Sequence, residues 1–193
     1  MFYTIRRLII LLLLALLAYA GWWAYQERAR VLTLLDAGWI LYHEAQGLNE
    51  PPRPRTLLSG QVTKVIDGNW FSVRPTNGLV YVFKQAAAEA PAAKSPLNPR
   101  GDPLGLESAT NLSRLILSNE VVIDVLHCDE RRYGQGYVYL NGTNVGVPLV
   151  EAGLAKVSRA HIKPLPFREQ FALLSAERKA RVNKAGMWQH TED

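Results

Sequence analysis

Hydrophobic positions divide the chain into three stretches with different patterns. From Leu8 to Tyr25 run 18 residues without a charge, most of them Leu, Ile, Ala, Trp or Tyr. Arg6 and Arg7 precede them, and Glu27, Arg28 and Arg30 follow. At ~1.5 Å per residue, a helix of that length is near the lower limit for crossing a hydrocarbon core of ~30 Å. Trp22, Trp23 and Tyr25 stand at its far end, where amphipathic rings favour the headgroup layer. The run predicts a signal anchor over residues 1–26, with the Arg pair in the cytoplasm. A second reading shares the pattern. Leu8 to Leu17 has the length of a signal-peptide core, and Ala18-Tyr19-Ala20 supplies a small-x-small cleavage site. A buried core helix is a third reading. The first two both place the rest of the chain outside the cytoplasm, anchored in one case and secreted after cleavage in the other.

The second stretch, residues 27–56, is a connecting helix and a linker. Val31, Leu34, Leu35, Gly38, Leu41 and Tyr42 fall at helical spacing and predict a helix continuing to about Gln46. Its apolar stripe is expected to pack on the domain, on the membrane surface or on a second copy. Pro51, Pro52 and Pro54 then break the helix and predict a stiff, extended spacer from Gly47 to Arg55.

From Leu57 the period shortens. Val62, Lys64 and Ile66 predict a short strand ending at the turn pair Asp67-Gly68. Trp70 to Arg74 alternates as a second strand, and Leu79 to Phe83 reads as a third after Pro75-Thr76-Asn77-Gly78. Residues 85–103 are rich in Ala and Pro and predict a long irregular loop. A helix over 106–117, a strand over 121–126 and a strand over 137–140 turned at Asn141-Gly142 follow. A short helix over 147–152 is stopped by Gly153. A longer helix covers 167–184, with Phe171, Leu174 and Arg178 on one stripe. Five short strands with three helices make an α+β chain of the kind a small OB-like barrel requires. The pattern alone also admits other mixed folds.

Composition narrows this picture. The 193 residues fit one domain with some tens to spare, and 48% hydrophobic against 20% charged residues excludes wholesale disorder. A single Cys excludes an intramolecular disulfide and a Cys-based zinc site. The net charge is +5, and residues 57–190 alone hold 16 Lys plus Arg against 11 Asp plus Glu. That balance permits an anionic partner and equally serves solubility. Should Arg131, Arg132, Lys156, Arg159 and Lys163 gather on one face, phosphate binding follows. His127 and Cys128 are strand neighbours, expected on opposite faces, one half-buried and one exposed, and so not a metal or redox pair. His161, beside Arg159, Lys163 and Arg168, belongs either to an anion-binding stretch or to a solvated loop.

Five local patterns, in order, resemble the staphylococcal nuclease (thermonuclease) family. Val65-Ile66-Asp67-Gly68 is similar to its first strand-turn, and Phe83-Lys84 followed by Pro91 is in register with its R-x-x-G-[IV]-D-x-P-E element. Arg132-Tyr133-Gly134-Gln135-Gly136 resembles its Y-G-R element, and residues 149–157 resemble L-V-x-x-G-L-A. Ala185-Gly186-Met187-Trp188 closes Glu177 to Trp188 as the family's G-[LIM]-W does. The resemblance covers residues 57–190 and implies a five-stranded OB-like barrel with three helices. It also implies a calcium ion held by two Asp, two Arg on the scissile phosphate and a Glu as general base.

At those positions this sequence departs from the family. The metal-binding Asp becomes Asn69, the first Arg Lys84, the second Asp Glu89, the general base Ala92 and the second Arg Gln135. Asn69 carries no charge, Ala92 accepts no proton and Gln135 cannot neutralise a phosphate. The expectation is an exported, membrane-tethered nuclease-like domain, catalytically degenerate and without metal or cofactor. It would bind nucleic acid or another polyanion through Lys84, Trp70, Tyr133, Arg132 and Lys163. Trp70 either stacks on a base or plugs volume vacated by Ala86, Ala87, Ala88, Ala90 and Ala92. Two alternatives stand beside this. One is an active calcium-dependent nuclease with a rearranged site, in which Asp102 would be the substitute carboxylate. The other is a non-catalytic envelope scaffold that self-associates.

Overall fold

The computed structural model describes residues 2–47, 54–94 and 98–189. Two helices lead, α1 (Phe2–Gln26) and α2 (Arg28–Gly47). The barrel strands are β1 (Thr56–Val65), β2 (Trp70–Arg74), β3 (Tyr81–Gln85), β5 (Glu120–Cys128) and β6 (Tyr133–Leu140). The pieces β4 (Ala88–Glu89), β7 (Thr143–Asn144) and β8 (Lys156–Val157) are two residues each. The remaining helices are α3 (Gly105–Ile116), α4 (Gly146–Glu151) and α5 (Phe167–Val182), before a 3-10 turn at Gly186–Trp188.

Antiparallel neighbours run β3-β2-β1-β5-β6-β7, and β3 then pairs with β6 in parallel. That last pairing closes five strands into a barrel and removes the open edges a flat sheet would expose. Phe71, Val73, Phe83, Ile123 and Tyr137 are fully or almost fully buried in one core. Phe71 lies opposite Phe83 across β2 and β3. The α+β barrel with three helices is as expected from the resemblance.

Several local expectations shift, each for a visible reason. The third strand begins at Tyr81 because Asn77 Oδ1 accepts the Leu79 N–H at 3.1 Å and holds residues 77–79 in a turn. β6 begins at Tyr133, ahead of the strand expected over 137–140, because parallel pairing with Val82 and Phe83 extends it backwards. The Ala-rich segment is not wholly irregular. Ala88 and Glu89 pair with Val157 and Lys156 in a second small sheet, and Ala86, Ala87 and Ala88 are buried in the core. His127 and Cys128 are both exposed, since a bulge between Val125 and His127 breaks the alternation.

The leading helices carry a further correction. Helical hydrogen bonds cross their junction, Glu27 N–H to Trp23 O at 2.9 Å and Val31 N–H to Glu27 O at 3.0 Å, so α1 and α2 form a nearly continuous rod. Residues 6–26 of α1 are long and apolar enough to cross a membrane, and none of that window is buried against the protein. The connecting helix packs on α5, but not through the expected stripe. Leu34, Leu35, Leu41 and Tyr42 remain exposed, whereas Ile40 is fully buried and Asp36 pairs with Arg178. Arg178 keeps its place on the stripe with Phe171 and Leu174, and its role there is that of a charge partner to Asp36. Of the Pro-rich spacer, residues 48–53 lie outside the described residues.

Glu177 ties the last helix to the site. Its buried carboxylate accepts the Val157 N–H on β8 at 2.9 Å and pairs with Arg159 and Arg181. The two guanidinium groups are about half exposed, so the main loss on truncation is the orphaned Val157 N–H. Glu177→Ala is expected to cost about 2 kcal/mol. A thermal melt should place its midpoint ~4–8 °C below that of the wild type.

Candidate functional site

The turn between β1 and β2 sets the first position. Asp67 Oδ1 accepts the backbone N–H groups of Asn69 at 2.7 Å and Trp70 at 2.8 Å, an Asx turn that folds the chain back. Gly68 is required there, because a Cβ would lie 2.0 Å from Ser108 Oγ on α3. The turn buries Asn69, and its side-chain Oδ1 has no hydrogen-bond partner among the described residues.

Barrel closure sets the next positions. Trp70 on β2 lies opposite Lys84 on β3, Lys84 opposite Gln135 on β6, and Gln135 opposite His127 on β5. A hollow of about 530 Å³ is lined by Asn69, Lys84, Glu89, Asp102 and Lys156, with Pro91 and Met187 among its walls. The resemblance thus brings together Asn69, Lys84 and Glu89 in space as it does in sequence.

Glu89 is held from two sides. Its Oε1 accepts the Ser158 hydroxyl at 2.7 Å, and its Oε2 lies 3.7 Å from Lys156 Nζ. Ser158 has one proton and spends it on Glu89. His161 Nδ1, 3.0 Å from the same hydroxyl, is therefore the donor to Ser158. The pairing of β4 with β8 puts Glu89 directly opposite Lys156.

Asp102 enters from the loop before α3. Its Oδ2 accepts the Ala92 N–H at 2.9 Å, while its own N–H donates to Ala92 O at 2.9 Å. This reciprocal clamp holds a carboxylate beside the backbone of the residue where the family pattern has its general base. Gly105 permits the close approach, since a Cβ there would meet Ala92 O at 2.1 Å.

The hollow is lined by two ammonium groups and two carboxylates, which cancel. A dication bound by hard oxygens favours a net negative cage. The orphaned Asn69 Oδ1 is a suitable donor, but Glu89 is already engaged by Lys156 and Ser158. No group of three or more His, Cys, Asp or Glu that could hold a metal occurs among the described residues. The residues present therefore do not fit the calcium ion that the resemblance implies.

The remaining candidates do not converge on the hollow. Trp70 is half-buried and does not line it, so the expected plug is not formed there. Of the alanines expected to vacate space, Ala86, Ala87 and Ala88 are buried in the core, and only Ala90 of the set borders the hollow. Tyr133 is exposed, Arg132 sits in the β5–β6 turn with φ +67°, and Lys163 is exposed before α5. The five cations considered as one face also divide. Lys156 faces Glu89, and Arg159 turns away to Glu177. Partial burial pushes the Cys128 thiol up and Asp129 adds to it, which suppresses the reactive thiolate. Ser158 as a partner of Glu89 was missed from sequence, because a two-residue strand has no periodicity to announce it.

Comparison with known proteins agrees with this geometry. The family described as staphylococcal nuclease homologues matches residues 84–190. Two curated relatives come from Bacillus subtilis strain 168. Endonuclease YncB is 26% identical over 137 residues, covering 69% of this chain and 63% of that protein. SPbeta prophage-derived endonuclease YokF is 26% identical over 137 residues, covering 69% of this chain and 45% of that protein. The chain thus spans less than two thirds of the length of either relative.

Proposed function

The chain belongs to the family of staphylococcal nuclease homologues, and on that premise we propose that it is a membrane-tethered domain that grips nucleic acid without cleaving it efficiently. The apolar α1 is the tether, and the barrel stands outside the cytoplasm. The observation that carries the reading is the content of the hollow. Lys84 stands at its wall to meet phosphate oxygens, while Lys156 there is engaged with Glu89. The positions of the family's base and second Arg hold Ala92 and Gln135. The names of the two relatives describe endonucleases, which supports nucleic acid as the polyanion.

The test is binding of the full chain, in detergent, to fluorescent single-stranded DNA over a range of salt. Affinity should fall as salt rises, and Lys84→Ala should weaken binding and make the slope shallower by ~0.7 per lost phosphate contact. No binding, or binding indifferent to salt, would refute the proposal.

The Asp102 clamp favours a second reading, residual phosphodiester hydrolysis in which Asp102 takes the proton of the attacking water. It requires turnover above a buffer control that Asp102→Asn abolishes. Absence of turnover rejects it and leaves the binding reading intact.

A further inference from the structure

The strongest feature outside the barrel site is a basic hollow of about 450 Å³ between α2 and α5. We propose that it binds the phosphate of an anionic phospholipid from the membrane that α1 crosses. The inference rests on the tether reading of α1 and not on nucleic-acid binding.

Five cations line the hollow, Arg28, Arg159, Arg178, Arg181 and Lys184, against two carboxylates, Asp36 and Glu177. The surplus is three positive charges in a partly enclosed space, where screening is weaker than on an open surface. Arg178 is the most enclosed of them. One guanidinium nitrogen pairs with Asp36, and its Nε–H is buried with no partner among the described residues. Arg178 lines the hollow, and its guanidinium carries donors in a fork that matches phosphate oxygens. The end of α5 carries about half a negative charge from its unpaired carbonyls. The surplus of full positive charges outweighs it.

The position of the hollow selects the source of the phosphate. Early residues of α2 meet late residues of α5, with Asp36 against Arg178 and Arg28 and Leu32 beside Val182 and Lys184. The two helices therefore run antiparallel, and the basic end of α5 returns towards the start of α2. The apolar span covers 21 residues, Arg6–Gln26. At ~1.5 Å per residue it matches a core of ~30 Å. Arg28 follows its end by ~3 Å along the rod, inside a headgroup layer roughly 5–8 Å deep. The hollow thus opens at the depth where lipid phosphates lie. Occupied in this way, it would fix how the barrel stands on the membrane.

The test uses the full chain. Flotation with vesicles of pure phosphatidylcholine asks whether α1 inserts, and a chain that does not float overturns the tether and the headgroup site together. Chain reconstituted with equal parts of phosphatidylglycerol and phosphatidylcholine is then extracted into neutral detergent, and native mass spectrometry counts the lipid retained. Phosphatidylglycerol should be favoured roughly thirtyfold, the order expected for two cations near an anionic headgroup. Excess inorganic phosphate should not displace it. Arg28→Gln combined with Lys184→Asn should lose the preference while floating and melting like the wild type. Asn suits the positive φ at residue 184. The charge-preserving pair Arg28→Lys with Lys184→Arg should keep it. Should the neutral pair melt early, Lys184→Asn alone should still lower the preference. Equal retention of the two lipids, or a preference that survives the neutral pair, overturns the site while the tether stands. Displacement by inorganic phosphate overturns the lipid as its ligand.

Discussion

Restoring four side chains, Asn69→Asp, Lys84→Arg, Ala92→Glu and Gln135→Arg, is expected to raise calcium-dependent cleavage of DNA by roughly 10²–10⁴-fold over the wild type. Each change repairs a different deficit. Asp at 69 adds a carboxylate where a buried oxygen already lacks a partner, and it turns a neutral hollow negative. Arg at 84 replaces a point charge by a fork that matches phosphate oxygens. Since Lys84 and Gln135 are opposite each other on β3 and β6, Arg at 135 would place a second fork beside the first. Glu at 92 supplies the base. The Asp102 clamp bonds to the backbone of residue 92, not to its side chain, and so survives the change. Single replacements should gain little, because groups that act on one phosphate are strongly non-additive. Release of acid-soluble nucleotide with calcium and with chelator decides the matter. A quadruple variant that folds yet stays inactive would mean that Lys156 on Glu89 blocks the metal, and Lys156→Ala in that background then separates the two causes.

What could be read from sequence follows from where the information sits. Lys84, Glu89 and Ala92 lie on one short segment; Lys84 and Glu89 reach the hollow, while Ala92 does not line it. Gln135 could be placed only because a Tyr-Gly pair marks the strand that closes the barrel. Asp102 was legible as a nearby carboxylate, but its reciprocal bonds to Ala92 depend on a loop whose course no pattern fixes. The docking of α2 was the least legible. Its contact rests on Asp36 and Arg178, a pair 142 positions apart, while most of the apolar residues at helical spacing stay exposed. Periodicity finds a helix and its apolar side. It does not reveal that a salt bridge and one buried Ile have decided the docked face. The Ala-rich segment misled for a related reason. Small side chains read as emptied space, but they are small because Ala86, Ala87 and Ala88 pack under the barrel wall.

The motif glycines Gly153 and Gly186 were legible for the opposite reason, since their role is backbone geometry that no other residue provides. Gly153 has φ +70° and Gly186 φ +53°, both in the left-handed region. They also meet each other. A Cβ on Gly153 would lie 2.1 Å from Ala185 O, and one on Gly186 would lie 2.3 Å from Gly153 O. This contact joins the end of α4 to the closing turn, where Met187 N–H donates to Gly153 O at 3.0 Å. Gly153→Ala is therefore expected to cost about 1 kcal/mol for the backbone conformation and ~1–3 kcal/mol for the overlap, ~2–4 kcal/mol in all. Its melting midpoint should fall by roughly 5–15 °C. Gly186→Ala should do much the same. The double variant should cost less than the sum of the two, because segments forced apart by the first Cβ already make room for the second. Denaturant melts of the four proteins in the cycle measure this coupling. Strict additivity would show that each glycine is kept for its own φ alone, and that the backbone contact between the two motifs contributes nothing to stability.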